Sequence, residues 1–365
     1  MRILLLATHL NFGGIAQYVC SLAGALKKRG HEVCAASSGG QMVEELDKQG
    51  IEHISIPIKT KSEAHPKILL SAFLLKTKIK KYNIQIIHAN SRVTQVLAWY
   101  LAKLSQVKFV STCHGFFKLR FSRRAFPCWG EKVIAISQEV KDHLVDDFNI
   151  PLDKVALIYN GIDLSKYEAQ IINDKNSLKK EFGLSRGPVI GIIARLSSVK
   201  GHKYLILAFK EILNTFPDAQ LLMVGDGPSK NELTALSKHL AIDKNTYFRP
   251  SSINIVDYLF LMDVFVMPSI MEGLGLSVIE AQAAGIPVVA SCIGGINSLI
   301  EDGVNGLLVP VGDYQTIAKS VILLLQDKDL ANRISLEAKN RVSQRFSLGL
   351  MAEQIEDLYK AVLNK

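Results

Sequence analysis

The sequence predicts an α/β protein of two doubly wound, parallel-sheet domains with Rossmann-like architecture. Two observations carry that expectation. Short β-rich runs alternate with segments of helical periodicity, and the alternation stops once and then begins again. The length, 365 residues, is that of about two ordinary domains.

In the first half, residues 3–7, 33–36, 54–56, 84–88, 109–112, 133–136 and 155–158 read as strands. Between most of them, apolar residues recur at helical spacing, as in Tyr18, Leu22 and Leu26. The pattern halts at Asn160-Gly161-Ile162-Asp163 and a polar stretch, 166–180, follows. It restarts with strands at 189–194, 220–224, 264–267, 288–290 and 307–309. The expected domains are therefore 1–165 and 166–345. After them, 346–365 places Met351, Ile355, Leu358 and Val362 on one helical face, expected to pack back towards the first domain. Open α/β sheets bind ligands beyond the carboxyl ends of their strands, so both domains should present loops to a shared cleft.

Composition narrows the class. With 48% apolar and 21% charged residues, the chain can bury a core and is not disordered. The charge-free run 68–75 is far short of the ~20 residues that span a bilayer. The longer one, 281–300, is broken by Gly, Pro, Ser and Asn. Five apolar residues ahead of Thr8 and His9 are too few for a secretory signal. Cys20, Cys34, Cys113, Cys128 and Cys292 show no CxxC spacing, so reduced thiols are expected rather than disulfides or a zinc site. The formal charge of +9 lies wholly in the first half, because residues 166–365 hold equal numbers of acids and bases. Fifteen basic residues between Lys59 and Lys132 face only Glu63 and Glu131. Such asymmetry suits an anionic partner.

The chemistry is written at the strand ends of the second half. From Pro268 to Ala290 the chain parses as strand end, Gly-rich loop, helix, Gly stop and next strand. Gly273 and Gly275 let backbone N–H groups approach a ligand, and the helix from about Leu276 adds its positive dipole end, making an anion site suited to a diphosphate. Glu272 and Glu280 are better placed to accept hydrogen bonds from hydroxyls at either end of a sugar nucleotide. Arg195 ends another strand and Lys200 precedes a helix; two such cations could neutralise a diphosphate leaving group. Met223-Val-Gly225-Asp226-Gly227-Pro228 is a third strand end of this kind.

Together these motifs resemble the family-4 retaining glycosyltransferases of GT-B fold. The resemblance rests on Glu272 and Glu280 with Gly273-Leu274-Gly275 between them, and on Ala281-x-Ala283-x-Gly285-x-Pro287-Val-Val-Ala290. It extends to Arg195 with Lys200-Gly201, Val224-Gly-Asp-Gly-Pro228, Asn160-Gly-Ile-Asp163, and Gly13-Gly14 with Gly30-His31. It runs from Arg2 to about residue 345. Ala194 departs from it, where Gly is usual, as does Phe248-Arg249-Pro250, where Phe-x-Gly is common.

The resemblance implies a GT-B fold with an N-terminal acceptor domain, a C-terminal nucleotide-sugar donor domain and retention of anomeric configuration. Arg195 and Lys200 would hold the donor diphosphate. Glu272 would bind donor sugar hydroxyls beside the backbone of Gly273, Leu274, Gly275 and Leu276, Glu280 would take the ribose, and Gly225 would line the same site. Gly13 and Gly14 would approach the phosphate from the other domain, and His114 would lie near the transferred sugar. The catalytic set is thus His114, Arg195, Lys200 and Glu272. No cofactor or metal is expected: Asp327-Lys328-Asp329 is the one literal DxD, and it falls between two late helical patterns.

The basic half adds a partner. Residues 65–81 read as a basic helix with apolar residues over much of its surface. Residues 116–126 mix Lys118, Arg120, Arg123 and Arg124 with aromatic rings. Such elements suit anionic lipid headgroups. The expectation is a cytoplasmic enzyme held peripherally at the inner membrane face, acting on a lipid-linked or glycan acceptor in lipopolysaccharide, capsule or other envelope-glycan assembly. Two alternatives stand beside it: a sugar-nucleotide epimerase of similar fold, and a basic nucleic-acid or membrane binding protein without catalysis. No nucleic-acid recognition motif is present, and the loop at Gly13 lacks the GxGxxG of dinucleotide enzymes.

Overall fold

Short continuous runs of Ile, Leu, Val and Ala suit strands covered on both faces, and this chain places them in two all-parallel sheets. The structure, a computed structural model, describes residues 1–168, 175–252 and 254–364; residues 169–174, within the polar stretch 166–180, lie outside the described residues.

The first sheet contains β1 (Arg2–Leu6), β2 (Glu32–Ser37), β3 (Glu52–Ser55), β4 (Ile86–Ala89), β5 (Lys108–Cys113), β6 (Lys132–Ala135) and β7 (Val155–Leu157). Its order is β3-β2-β1-β4-β5-β6-β7, with Leu4 of β1 opposite Cys34 on one side and Ile87 on the other. Alternate residues of β1 feed two cores. Ile3 and Leu5 pack with Val19, Leu22 and Leu26 of the helix Gly14–Lys28 and with Ile355 and Tyr359 of the helix Leu348–Leu363. Leu4 and Leu6 pack with Ile68, Ala72 and Leu75 of the helix Pro66–Lys81 and with Val96 and Leu97 of the helix Arg92–Ser105.

The second sheet contains β8 (Val189–Ile193), β9 (Gln220–Val224), β10 (Thr246–Arg249), β11 (Val264–Met267), β12 (Val288–Ser291) and β13 (Leu307–Val309), in the order β10-β9-β8-β11-β12-β13. The strand β10 has no counterpart in the sequence reading. It is a short edge strand whose four residues are all half-buried, so it lacks both the apolar run and the alternation that reveal a strand.

The chain divides into two units. One is Met1–Gly161 with the carboxyl-terminal helix, and the other is Ile162–Ser347. The break falls inside Asn160-Gly161-Ile162-Asp163, four residues ahead of the expected 165/166 boundary. Ile162 bonds to its own unit: its N–H donates to the Phe346 carbonyl at 2.9 Å, and it bridges to Ser347. All five cysteines are free thiols, four buried and Cys292 exposed.

Candidate functional site

Each sheet has one point where strand order reverses, β1/β4 in the first and β8/β11 in the second. Loops diverging there open a crevice beyond the carboxyl ends of the strands. In the second unit those loops carry Arg195 and Lys200 after β8, and Glu272 after β11. Arg195 is exposed. The Lys200 ammonium lies 2.5 Å from a Glu272 carboxylate oxygen, which also accepts a hydrogen bond from the Ser269 hydroxyl at 3.3 Å. Both members of this pair are largely covered, at 24% and 10% side-chain exposure, so in this state each neutralises the other.

Gly201 explains why the two loops meet. Its φ is +70°, and a Cβ there would stand 1.8 Å from the Pro268 carbonyl oxygen at the end of β11. Only glycine lets the backbones close to that distance. Val199 strengthens the junction by accepting from the Ile270 N–H at 2.8 Å. Gly225, after β9, is held the same way: a Cβ would meet the Ala194 carbonyl oxygen at 2.0 Å. His202, first residue of the next helix, is buried; burial, then the Lys200 charge, pushes it down to about 4 and keeps it neutral.

The Gly-rich loop has the expected form. Gly275 caps the helix Leu276–Ala283 with φ +97°, and no side chain bonds its amino-terminal N–H groups. The Gly275 carbonyl accepts from the Val278 and Ile279 N–H groups at 2.9 and 3.2 Å, which leaves the donors at Leu276 and Ser277 for a ligand. Gly273 and Leu276 are partly accessible, but Leu274 turns its side chain into the core at 2% exposure and can offer only its backbone. Glu280 is 3% exposed and hydrogen-bonded to Tyr167, whose hydroxyl is held well above its ordinary range first by burial and then by this carboxylate. Tyr167 is a neighbour that no motif flagged. Asp327 of the DxD match accepts from the Leu330 N–H at 2.9 Å, capping the helix Lys328–Arg345.

In the first unit, Gly13 and Gly14 form the turn from the β1 loop into the helix Gly14–Lys28, with open space where side chains would be. His114 stands just beyond β5, beside the β4 loop. Asn90 donates its amide N–H to the Leu6 and His88 carbonyls at 3.2 and 3.3 Å, which turns its amide oxygen towards His114. The His114 Nε2–H therefore donates to Asn90, at 3.2 Å, and Nδ1 carries the lone pair. Part of the ring stays accessible, yet the packing around it, including an edge-on Tyr18 at 4.7 Å, is close enough that burial pushes it down to about 3. Behind it, His88 is hydrogen-bonded to Tyr359 and Thr112, each at 2.6 Å, and is also pushed down to about 3, by burial first and His114 second. Asn90 and Tyr359 went unnoticed in the sequence, and Tyr18 was read only as an apolar position of a helix, because these residues come from separate segments with no local spacing rule.

The basic cluster is not uniform. Lys118, Arg120 and Arg124 are exposed, as is Phe121 at 86%. Arg123 corrects the expectation of a surface cation. It is 8% exposed, its guanidinium lies 3.6 Å from the Phe117 ring centroid, and Trp129 stands further out at 5.5 Å. The flat guanidinium stacks on rings that a lysine could not match.

The chain is similar to known glycosyltransferases in sequence and in fold. Residues 174–341 match the family described as glycosyl transferases group 1, and residues 12–166 match glycosyltransferase family 4. The chain is 29% identical over 350 residues, 91% of this chain and 89% of the relative, to the Escherichia coli UDP-Gal:alpha-D-GlcNAc-diphosphoundecaprenol alpha-1,3-galactosyltransferase. Its fold is similar to that of a crystallised glycosyltransferase from Rickettsia africae, with TM-score 0.87, 27% identity and coverage of 99% and 98% of the two chains. It is also similar to Anabaena Alr3699/HepE in complex with UDP and glucose, with TM-score 0.89, 23% identity and coverage of 99% and 100%.

Proposed function

Because the chain belongs to the family-4 glycosyltransferases of GT-B fold, we propose that it moves a hexosyl group from a nucleotide-diphosphate sugar to a hydroxyl acceptor with retention of anomeric configuration. The observation that carries this reading is the junction of Lys200 with Glu272 at the strand-order reversal of the second sheet, on loops that also carry Arg195. Breaking the bond to the anomeric carbon leaves extra negative charge on the diphosphate and makes the sugar oxocarbenium-like. Arg195, Lys200 and the N–H groups at Gly275 and Leu276 are positive groups suited to that diphosphate, and they gain most in the transition state. Lys200 leaves Glu272 as the phosphate arrives, and the freed carboxylate accepts from sugar hydroxyls. Glu280, oriented by Tyr167, takes the ribose, and His114 accepts a sugar hydroxyl at Nδ1. With two cations opposite the diphosphate no metal is needed, so turnover should survive chelation by EDTA.

The acceptor is lipid-linked or an envelope glycan, and the first unit rests on an anionic membrane surface at the cytoplasmic face. Support comes from the helix Pro66–Lys81, which buries Ile68, Ala72 and Leu75 and exposes Leu69, Leu70, Phe73 and Leu74 beside Lys67, Lys76 and Lys80. Apolar side chains rimmed by lysines fit the headgroup boundary. No helix among the described residues is long and apolar enough to cross a membrane.

A thermal-shift screen of nucleoside diphosphates and sugar nucleotides should raise the melting temperature for one donor class. NMR of the product should then show the donor's anomeric configuration retained. Inversion would refute retention, and donor converted without acceptor would favour an epimerase. Flotation with anionic liposomes at low salt tests the membrane contact, which absence of binding would eliminate.

A further inference from the structure

The first sheet also has a recess at its other end. Parallel strands start together at one edge, and the starts of β5, β6 and β7 border a cavity of about 750 Å³. It is lined by Lys108 and Phe109 at the start of β5, by Trp129 and Glu131 ahead of β6, and by Phe148 and Lys154 ahead of β7. The carboxyl end of β5, at the opposite edge, leads to His114. The cavity is therefore at the end of this sheet opposite to His114.

Its chemistry is lopsided. Four aromatic rings, of Trp99, Phe109, Trp129 and Phe148, stand among five cations, Lys103, Lys108, Arg123, Arg124 and Lys154, with Glu131 the only acid in the lining. Two cations are already engaged: Lys108 donates to the Val362 carbonyl at 2.9 Å and Arg124 to the Asp147 carbonyl at 3.1 Å. Arg123 is different. Phe117 covers one face of its guanidinium, and its Nη1, wholly buried, has no hydrogen-bond partner. A buried charged donor without an acceptor is costly unless something fills the place. The lost hydration also pulls Arg123 down to about 10, with Arg92 adding to the effect.

We propose that this cavity is a second binding site, taking a phosphate-bearing ligand whose anionic head meets Arg123 and the rim lysines and whose body lies on the Trp99 and Trp129 rings. Arginine matches phosphate with two donors, lysines add charge, and indole faces accept either a sugar ring or an apolar chain. Two sources share that chemistry, a soluble glycosyl phosphate and a lipid phosphate.

The chain carries its own probe, since both of its tryptophans line the cavity. Glucose 1-phosphate and farnesyl phosphate are titrated into the full-length protein while tryptophan fluorescence is followed, with glucose and farnesol as uncharged controls. A saturable change with a phosphorylated probe and none with its control is expected. The tighter probe identifies the source, soluble or lipid. Arg123→Gln should weaken binding about tenfold, the loss of one charge-assisted contact. Should that buried substitution unfold the unit, the exposed double variant Lys103→Gln/Lys154→Gln is expected to weaken binding without altering the fold. The response should persist in Lys200→Ala, which separates this cavity from the donor site. No saturable change with either phosphate, equal response to the uncharged controls, or undiminished affinity in the folded variants would overturn the proposal.

Discussion

Lys200 and Glu272 define what single residues contribute. A carboxylate and an ammonium 2.5 Å apart in a largely covered position are each other's solvation. Removing one leaves the other partly buried and unpaired, so substitutions here act on both ground state and turnover. Lys200→Ala and Arg195→Ala should each cost about 2–4 kcal/mol of activation barrier, roughly a hundred- to a thousandfold in kcat, as for the loss of one preorganised donor. Steady-state transfer assays check this, and near-wild-type turnover would contradict the assignment. Tyr359 gives a matching test of stability. Tyr359→Phe leaves the fully buried His88 without its Nδ1 partner and should lower stability by about 1–3 kcal/mol in urea unfolding followed by tryptophan fluorescence. Arg195, Lys200 and Glu272 were legible in the sequence because each follows a strand within a recognisable motif. Asn90 and Tyr167 were not, because their partners His114 and Glu280 are distant in the chain and only folding brings them together.

At the scale of elements, the loops at the strand ends are held by close backbone approach. Gly201→Ala would put a methyl group against the Pro268 carbonyl and force a positive φ on an L residue. The expected result is a loss of more than about 1 kcal/mol in stability, together with weaker donor binding, since Lys200 precedes this glycine directly. Thermal melts and donor titration report the two effects separately; a variant unchanged in both would dissociate the turn from the site. The helices were read from spacing alone, and the final one, Leu348–Leu363, shows both the strength and the limit of that reading. Its apolar stripe was visible, but the charged pair that docks it was not. Glu356 lies 2.7 Å from Lys360 on its own helix and 2.5 Å from Arg29, the docking contact, and Lys360 first and Arg29 second hold its carboxyl down to about 2. The edge strand β10 escaped detection because half-buried residues carry no hydrophobic period.

For the molecule as a whole, two buried histidines and the half-buried His114 set the acid limit. His88, His114 and His202 are pushed down to about 3, 3 and 4, against roughly 6.5 in an unfolded chain. Between those values the unfolded state binds more protons, so stability is greatest above pH ~6.5 and falls as pH drops through that window. Glu356 continues the loss at lower pH, because its depressed carboxyl stabilises only while ionised. Urea midpoints measured at pH 7, 5.5 and 4.5 should decline in that order, and a flat series would mean the histidines are hydrated. The sequence by itself determined the two parallel sheets, the Gly-rich loop ahead of the helix Leu276–Ala283 and the family, since periodicity, strand-end glycines and motif spacing are local properties of the chain. Only the tertiary structure decided that Arg123 is buried on aromatic rings rather than solvated, that Lys200 is paired with Glu272, and that both tryptophans share a basic cavity. The reason is physical: solvation and pairing of a charge depend on what surrounds it in space, and those neighbours come from segments the sequence leaves far apart.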